Sequence, residues 1–368
     1  MLIRIALFLL ATALALPAGH AGWAALKSGA FIAEFLTNGE FPLLTRLTFR
    51  PLQSSLILST PLRPVRADLY RPARLFLVPG LVLIHGLAPQ GKNDPALQRA
   101  ARLLSRAGMM VLVPTIDGLT TLRLRQENTE SVVAAVERLR IFPGVKPQRL
   151  SLLGVSVGGG VALLAAADPR VSHDVRQVVT LGGYASIREL LRYFLTGAYG
   201  YRGINGYSSP QPEAARHFLL QNLDLLKSQA DRETLSRLFE SRSGEPEALG
   251  AEGRAVFRLL NNRDPAQVDA LINALPEDLQ TLIDNLSPLT ALPQLRARLL
   301  LLHSVTDPAI PFTESLRLAD AARNRVPTKL LLLRLLTHVE PGGQRPDWRD
   351  SVRELATLWS VLYQLLHD

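Results

Sequence analysis

Three side chains have the types and the order needed for nucleophilic acyl chemistry: Ser156, Asp307 and His338. A serine hydroxyl attacks poorly unless a base takes its proton, and an imidazole base works best when a carboxylate orients it. Ser156 sits in Gly154-Val155-Ser156-Val157-Gly158. The run Arg149–Leu153 before it reads as a strand, and the alanine-rich run Val161–Ala167 after it reads as a helix. G-x-S-x-G between a strand and a helix holds the serine on a sharp turn, where a Cβ at either flanking glycine would crowd the backbone. The hydroxyl is then displayed at a helix start, whose free N–H groups favour developing negative charge.

Asp307 follows the apolar run Arg298–Leu302 in a loop stiffened by Pro308 and Pro311, and His338 follows the run Lys329–Leu335. Both are therefore expected just beyond strand ends, in the chain order Ser, Asp, His. Two backbone N–H groups are expected to face a developing oxyanion. Val157, next to the serine, supplies one, and Leu87 supplies the other from the loop His85-Gly86-Leu87-Ala88-Pro89. A bulky residue stands in that loop where an H-G-G-G form would carry a third glycine.

Blander readings stand beside these: a chance G-x-S-x-G, a turn-capping Asp307, a surface His338. His85 reads as a structural residue steadying its loop. His303 precedes the acid on the same strand end and so is not the expected base. Glu340 reads as a solvated neighbour, and His173, His217 and His367 carry no supporting pattern. No His/Asp/Glu spacing suggests a metal site. Gly158-Gly159-Gly160 is no phosphate loop, because no G-K-[ST] follows. No cofactor is implied.

Around these residues the chain alternates strand and helix. Leu56–Ser59, Val65–Leu69, Leu81–His85, Met109–Val113, Leu150–Val155 and Val178–Leu181 read as strands. Pro95–Ala107 reads as a helix capped by Asp94 and closed by Gly108, and a second helix is expected from Asn128 or Thr129 to Arg140. This rhythm implies a mostly parallel sheet with right-handed crossovers. It breaks over residues 186–287, which read as helices and loops only. Ser186-Ile187-Arg188-Glu189 looks like a capping box opening a helix closed by Gly197. A Gly/Tyr loop over 197–207 and helical patterns near 212–227, 232–240, 251–261 and 265–275 follow. The rhythm then resumes, and Asp347–His367 closes the chain as a helix. The expected organisation is an α/β core over 22–185 and 288–368 with an all-helical cap inserted at 186–287. Leu190, Leu191, Phe194, Leu195, Phe218, Leu219, Leu223 and Leu226 form apolar helix faces there, for packing or for lining an acyl pocket.

The chain has 368 residues, 47% of them hydrophobic and 20% charged, enough for a sizeable core. The net charge of +9 comes almost wholly from Arg and forms no block, so it reads as dispersed surface charge and not as a nucleic-acid footprint. There are no cysteines, which excludes disulfides and a thiol nucleophile. Residues 1–21 read as a signal peptide: Arg4, the apolar run Ile5–Leu16, Pro17, then small residues around His20. The chain is then expected to be exported, periplasmic or secreted; the rival reading is an uncleaved anchor that holds it on the membrane facing outside the cytoplasm. Ser28–Arg50 reads as amphipathic and packed on the body. Oligomeric state is not legible.

His85-Gly86-Leu87, Gly154–Gly158, Asp307 ahead of Ile310-Pro311, and His338 together resemble the α/β-hydrolase superfamily, from about Leu56 to the end apart from the insert. The resemblance implies an eight-stranded sheet and hydrolysis through an acyl-serine intermediate; its motifs are nearly silent on substrate, and the expected one is a small-molecule ester. Serine at position 156 separates the chain from relatives with an aspartate or cysteine nucleophile. Thioesterase, acyltransferase and peptidase chemistry share the same three residues and stay open. So do a non-catalytic protein that binds a hydrophobic ligand and a membrane-bound partner using the Leu-rich insert.

Overall fold

The computed structural model describes residues 20–74, 77–241, 243–338 and 347–367. The apolar run Ile5–Leu16 and Glu340 lie outside the described residues. In chain order the elements are α1 (His20–Leu36), α2 (Leu43–Leu47), β1 (Leu52–Leu58), β2 (Val65–Arg71), β3 (Val78–Ile84), α3 (Pro95–Ala107), β4 (Met110–Pro114), α4 (Asp117–Thr121), α5 (Asn128–Arg140), β5 (Val145–Val155), α6 (Val157–Ala166) and β6 (Val175–Leu181). The inserted region carries α7 (Ile187–Thr196), β7 (Ala198–Tyr201), β8 (Ile204–Tyr207), α8 (Pro212–Leu220), α9 (Gln229–Ser236), α10 (Ala251–Asn261), α11 (Val268–Asn273) and α12 (Glu277–Asn285). The chain then returns through β9 (Arg298–Ser304), α13 (Thr313–Ala322), β10 (Thr328–Leu333) and α14 (Trp348–His367).

Eight strands form one sheet in the order β1-β2-β4-β3-β5-β6-β9-β10. β2 runs antiparallel to both its neighbours, and the pairs from β4 through β10 are parallel. The central strands are buried on both faces, which is why they read as unbroken apolar runs and not as alternating ones. One set of side chains, including Val82, Ile84, Leu152, Val178 and Leu301, packs with α5 and α6 and runs on into the insert. The opposite set, including Leu81, Leu83, Val179, Leu300 and Leu302, faces α1, α3 and α14.

α3 forms as its sequence dictates. The Asp94 carboxylate accepts from the Leu97 N–H at 2.9 Å, and Gly108 closes the helix at φ 118°. α1 lies along α14, where the Trp359 indole N–H donates to the Ala25 carbonyl at 2.9 Å. Among the described residues no helix is long and apolar enough to cross a membrane.

The inserted region departs from the expectation of helices only. Its Gly/Tyr segment is an antiparallel hairpin, β7 with β8. Arg202 and Gly203 both take positive φ, 48° and 83°, as the turn of a tight hairpin requires. α12 is a further helix, beyond those expected in this region. The Ser186–Glu189 capping box does not form, since the Ser186 side chain makes no capping bond. The start of α7 is held from outside instead. Glu314 Oε2 accepts from Ala185 N and Ser186 N, both at 3.0 Å, and Ser287 Oγ accepts from Ile187 N at 3.0 Å. Glu189 turns away to Arg317 at 3.0 Å. The Tyr184 hydroxyl donates to Leu286 O at 2.8 Å, so the insert leaves and rejoins the core at one fastened point.

Burial pushes the Glu314 carboxyl up to about 7, more than the bonds from Ala185 and Ser186 and the charge of Arg317 pull it down. A raised carboxyl stabilises the fold fully below its ordinary 4.5, and that contribution is lost as pH rises through about 7. Glu314→Gln keeps an acceptor for both N–H groups without the charge. Its melting temperature should therefore gain on the wild type as pH rises from 4.5 to about 7; a constant difference across that window would show that Glu314 does not titrate there.

Candidate active site

Ser156 stands between β5 and α6 at φ 54°, ψ −129°, a strained setting for a residue with a side chain. The turn is locked from both sides. Ser156 N donates to Leu181 O at 2.7 Å, and Gly159 N donates to Ser156 O at 2.9 Å. The flanking glycines are required by packing. A Cβ on Gly154 would lie 2.4 Å from Gly158 O, and a Cβ on Gly158 would lie 2.2 Å from His85 O. Val157 is the first residue of α6, so its N–H has no acceptor within the helix.

That close approach brings the loop after β3 onto the elbow. A Cβ on Gly86 would touch Ser156 Cβ at 3.0 Å, and Leu87 follows directly. His85 fixes the loop. Its Nε2 accepts from Ile116 N at 2.9 Å, so Nδ1 carries the proton towards Gly86 O at 2.7 Å. The ring is buried and neutral. Burial lowers its pKa, against the opposing pull of Gly86 O, Asp94 and Asp117.

Asp307 is buried and accepts four donors. Oδ1 receives Ala309 N at 2.8 Å and Ile310 N at 3.0 Å. Oδ2 receives His338 Nδ1 at 2.5 Å and lies 3.4 Å from His303 Nε2. Burial alone would raise this carboxyl; the bonds and charges of His303 and His338 outweigh it and hold the pKa at about 2. With Nδ1 bonded to a carboxylate, the neutral His338 ring leaves Nε2 free of its proton, as a base needs. Ser156 and His338 line the same cavity.

Two further residues support the Asp307–His338 pair. His303 is fully buried, accepts from Ser315 Oγ at Nδ1 (2.7 Å), and points Nε2–H at Ile310 O (2.9 Å) and at Asp307. It lies behind the acid and holds it. Gly182, at φ 65°, leaves room for the pair: a Cβ there would come within 3.0 Å of His338 Cε1 and 3.2 Å of Asp307 Oδ2. The signal for Gly182 was its place directly after β6, beside the elbow.

The cavity at Ser156 has a volume of about 940 Å³. Its wall comes from the sheet and from α1, α3 and α14; none of the insert leucines and phenylalanines expected as lining belongs to it. Leu190, Leu191, Leu195, Phe218, Leu219, Leu223 and Leu226 are spent inside the core that the insert shares with the sheet. The insert touches the loop that carries Asp307, where Tyr193 Oη (2.8 Å) and Gln211 Nε2 (2.6 Å) both donate to Pro308 O.

This sheet order and the strand–turn–helix at Ser156 are those of the α/β-hydrolase fold, and comparison with solved structures agrees. The chain superposes on a Mycobacterium tuberculosis puromycin-hydrolyzing peptidase with a TM-score of 0.54 at 20% identity, covering 89% of this chain and 41% of that one. A Pyrococcus horikoshii acylaminoacyl peptidase gives 0.52 at 14% identity, covering 88% and 43%. The 2,6-dihydroxy-pseudo-oxynicotine hydrolase gives 0.50 at 14%, covering 94% and 80%. The chain thus spans less than half the length of the two peptidases. No protein-family model and no curated protein matches the chain.

Gly158→Ala drives a methyl group into the His85 carbonyl and should lower stability by about 1–3 kcal/mol, read as a fall in melting temperature; an unchanged melting temperature would refute the close approach. Ionised Asp307 stabilises the fold above its ordinary 3.8, and this is lost as pH falls through about 2. His303→Phe removes one donor, so the acid-unfolding midpoint should move to higher pH. A midpoint at or below the wild-type value would mean that His303 does not hold the carboxylate.

Proposed function

We propose that this protein is a serine hydrolase that cleaves carboxylic esters through an acyl-serine intermediate. The observation that carries the reading is Asp307 Oδ2 bonded to His338 Nδ1 in a ring that shares a cavity with Ser156 on its strained turn. His338 takes the Ser156 proton as the hydroxyl attacks the carbonyl carbon, and Asp307 stabilises the resulting imidazolium. The N–H groups of Leu87 and Val157 receive the oxyanion, each worth about 3 kcal/mol in the transition state. Collapse expels the alcohol, protonated by His338. Water, deprotonated by the same ring, then releases the acid and restores Ser156.

The two peptidases cleave amide bonds with a chain more than twice as long, so their substrates do not transfer with the fold. Ester cleavage is favoured here because most of the wall beside Ser156 is leucine, valine, alanine and phenylalanine. Thioester cleavage and acyl transfer use the same acyl-serine and differ only in the leaving group and the acceptor. Ser156→Ala should lower turnover of p-nitrophenyl acetate by at least about a thousandfold and abolish labelling by a fluorophosphonate, with folding retained. Full activity in that variant would overturn the assignment.

A further inference from the structure

We infer that the cavity beside Ser156 is an acyl-chain site, and that the substrates are esters of medium- to long-chain fatty acids. This rests on the serine-hydrolase reading above. The cavity lies on the sheet face away from the insert, under the two terminal helices. It runs across four neighbouring strands from Leu83 on β3 to Leu302 on β9, about 14 Å at the usual strand spacing. Along β5 it reaches back from Ser156 to Leu153, about 10 Å at the usual rise per residue. At about 940 Å³ it lies near the upper end of the range for small-molecule sites.

The wall itself states the ligand chemistry. Phe31 and Phe35 of α1, Ala100 of α3, and Val361 and Leu362 of α14 face the sheet leucines and valines across it. The polar lining residues other than Ser156 and His338 are already engaged. His85 is bonded at both ring nitrogens, Asp94 caps α3, and Arg99 donates to Asn38 at 2.7 Å. Recognition is therefore left to apolar contact. A largely apolar cleft that starts at a nucleophile fits a hydrocarbon chain with its carbonyl at Ser156, because each buried methylene adds binding and none needs a polar partner.

The test compares p-nitrophenyl acetate, hexanoate and decanoate. On wild-type protein, kcat/KM should rise about fourfold per added methylene until the space is filled. Ala100→Phe and Val361→Phe push a ring into the cavity from two different helices. Each should cut the decanoate-to-acetate ratio at least tenfold in protein shown to be folded by thermal unfolding. Decanoate binding to the Ser156→Ala variant, read by calorimetry, reports on the cavity without catalysis. Turnover of acetate with a flat or falling chain-length profile overturns the acyl site and leaves the hydrolase standing. Decanoate binding without fluorophosphonate labelling of wild-type Ser156 supports the cavity and overturns the hydrolase. Unchanged ratios in both ring variants overturn the placement.

Discussion

The backbone crossing at the elbow governs the rest of the site. Ser156 takes a positive φ, and α6 begins so abruptly that Gly158 rests against the carbonyl of His85. No side chain fits at that contact, so two separate pieces of chain, the turn after β5 and the loop after β3, are held at one fixed separation. The separation is what matters chemically: a serine and the N–H groups around it are useful only if neither moves as charge develops. The strain at Ser156 is carried by β5, which is central and hydrogen-bonded on both sides, and by the bonds to Leu181 O and from Gly159 N. The Nδ1–H tautomer of His85 secures the loop from behind, tying it to the start of α4 through Ile116.

On the other side, the acid depends on a buried charge being over-supplied with donors. A carboxylate in the interior is costly unless its oxygens are satisfied, and four donors converge on Asp307. Two are backbone N–H groups of its own loop, which Pro308 and Pro311 bend back over it. One is His338, and the other is His303. The second histidine explains why the charge persists at this depth, and why His338 Nδ1 is held as a donor. Pro308 also receives Tyr193 and Gln211, so the insert grips the loop that carries Asp307.

Much of this was legible because the relevant signals are local or periodic. The parallel strands appear as apolar runs since both of their faces are covered, and α3 is delimited by Asp94 and Gly108 through bonds within a few residues. Ser156, Asp307 and His338 each follow a strand, so their meeting at one sheet edge follows from topology. What was hidden depends on contacts distant in sequence. The start of α7 looked self-capped by Ser186 and Glu189, yet Glu314 and Ser287 reach it from more than a hundred residues and from a hundred residues away. The β7–β8 hairpin was masked because Arg202 is an unusual residue at positive φ; a Gly or Asn there would have announced the turn. His303 precedes the acid on the same strand end and so is not the expected base, and both its ring nitrogens have partners inside the core. Its role as a donor to Asp307 depends on Ser315 fixing its tautomer.

The insert's apolar residues invite a role in substrate binding, and the packing shows why they lack it. Residues 187–285 leave the sheet between β6 and β9, and their leucines continue the core on the side of α5 and α6. Closing that core consumes them. The opposite face is covered by three helices, two of them from the chain's ends. α1 meets both α14 and α3, and the three leave unfilled the space over the ends of β3, β5, β6 and β9. A sheet face that is roofed but not filled leaves a volume bounded by leucine, valine and phenylalanine, and the elbow opens onto that face. The terminal helices are thus more than closure of the fold. Where they diverge from the sheet, they bound the space onto which Ser156 opens.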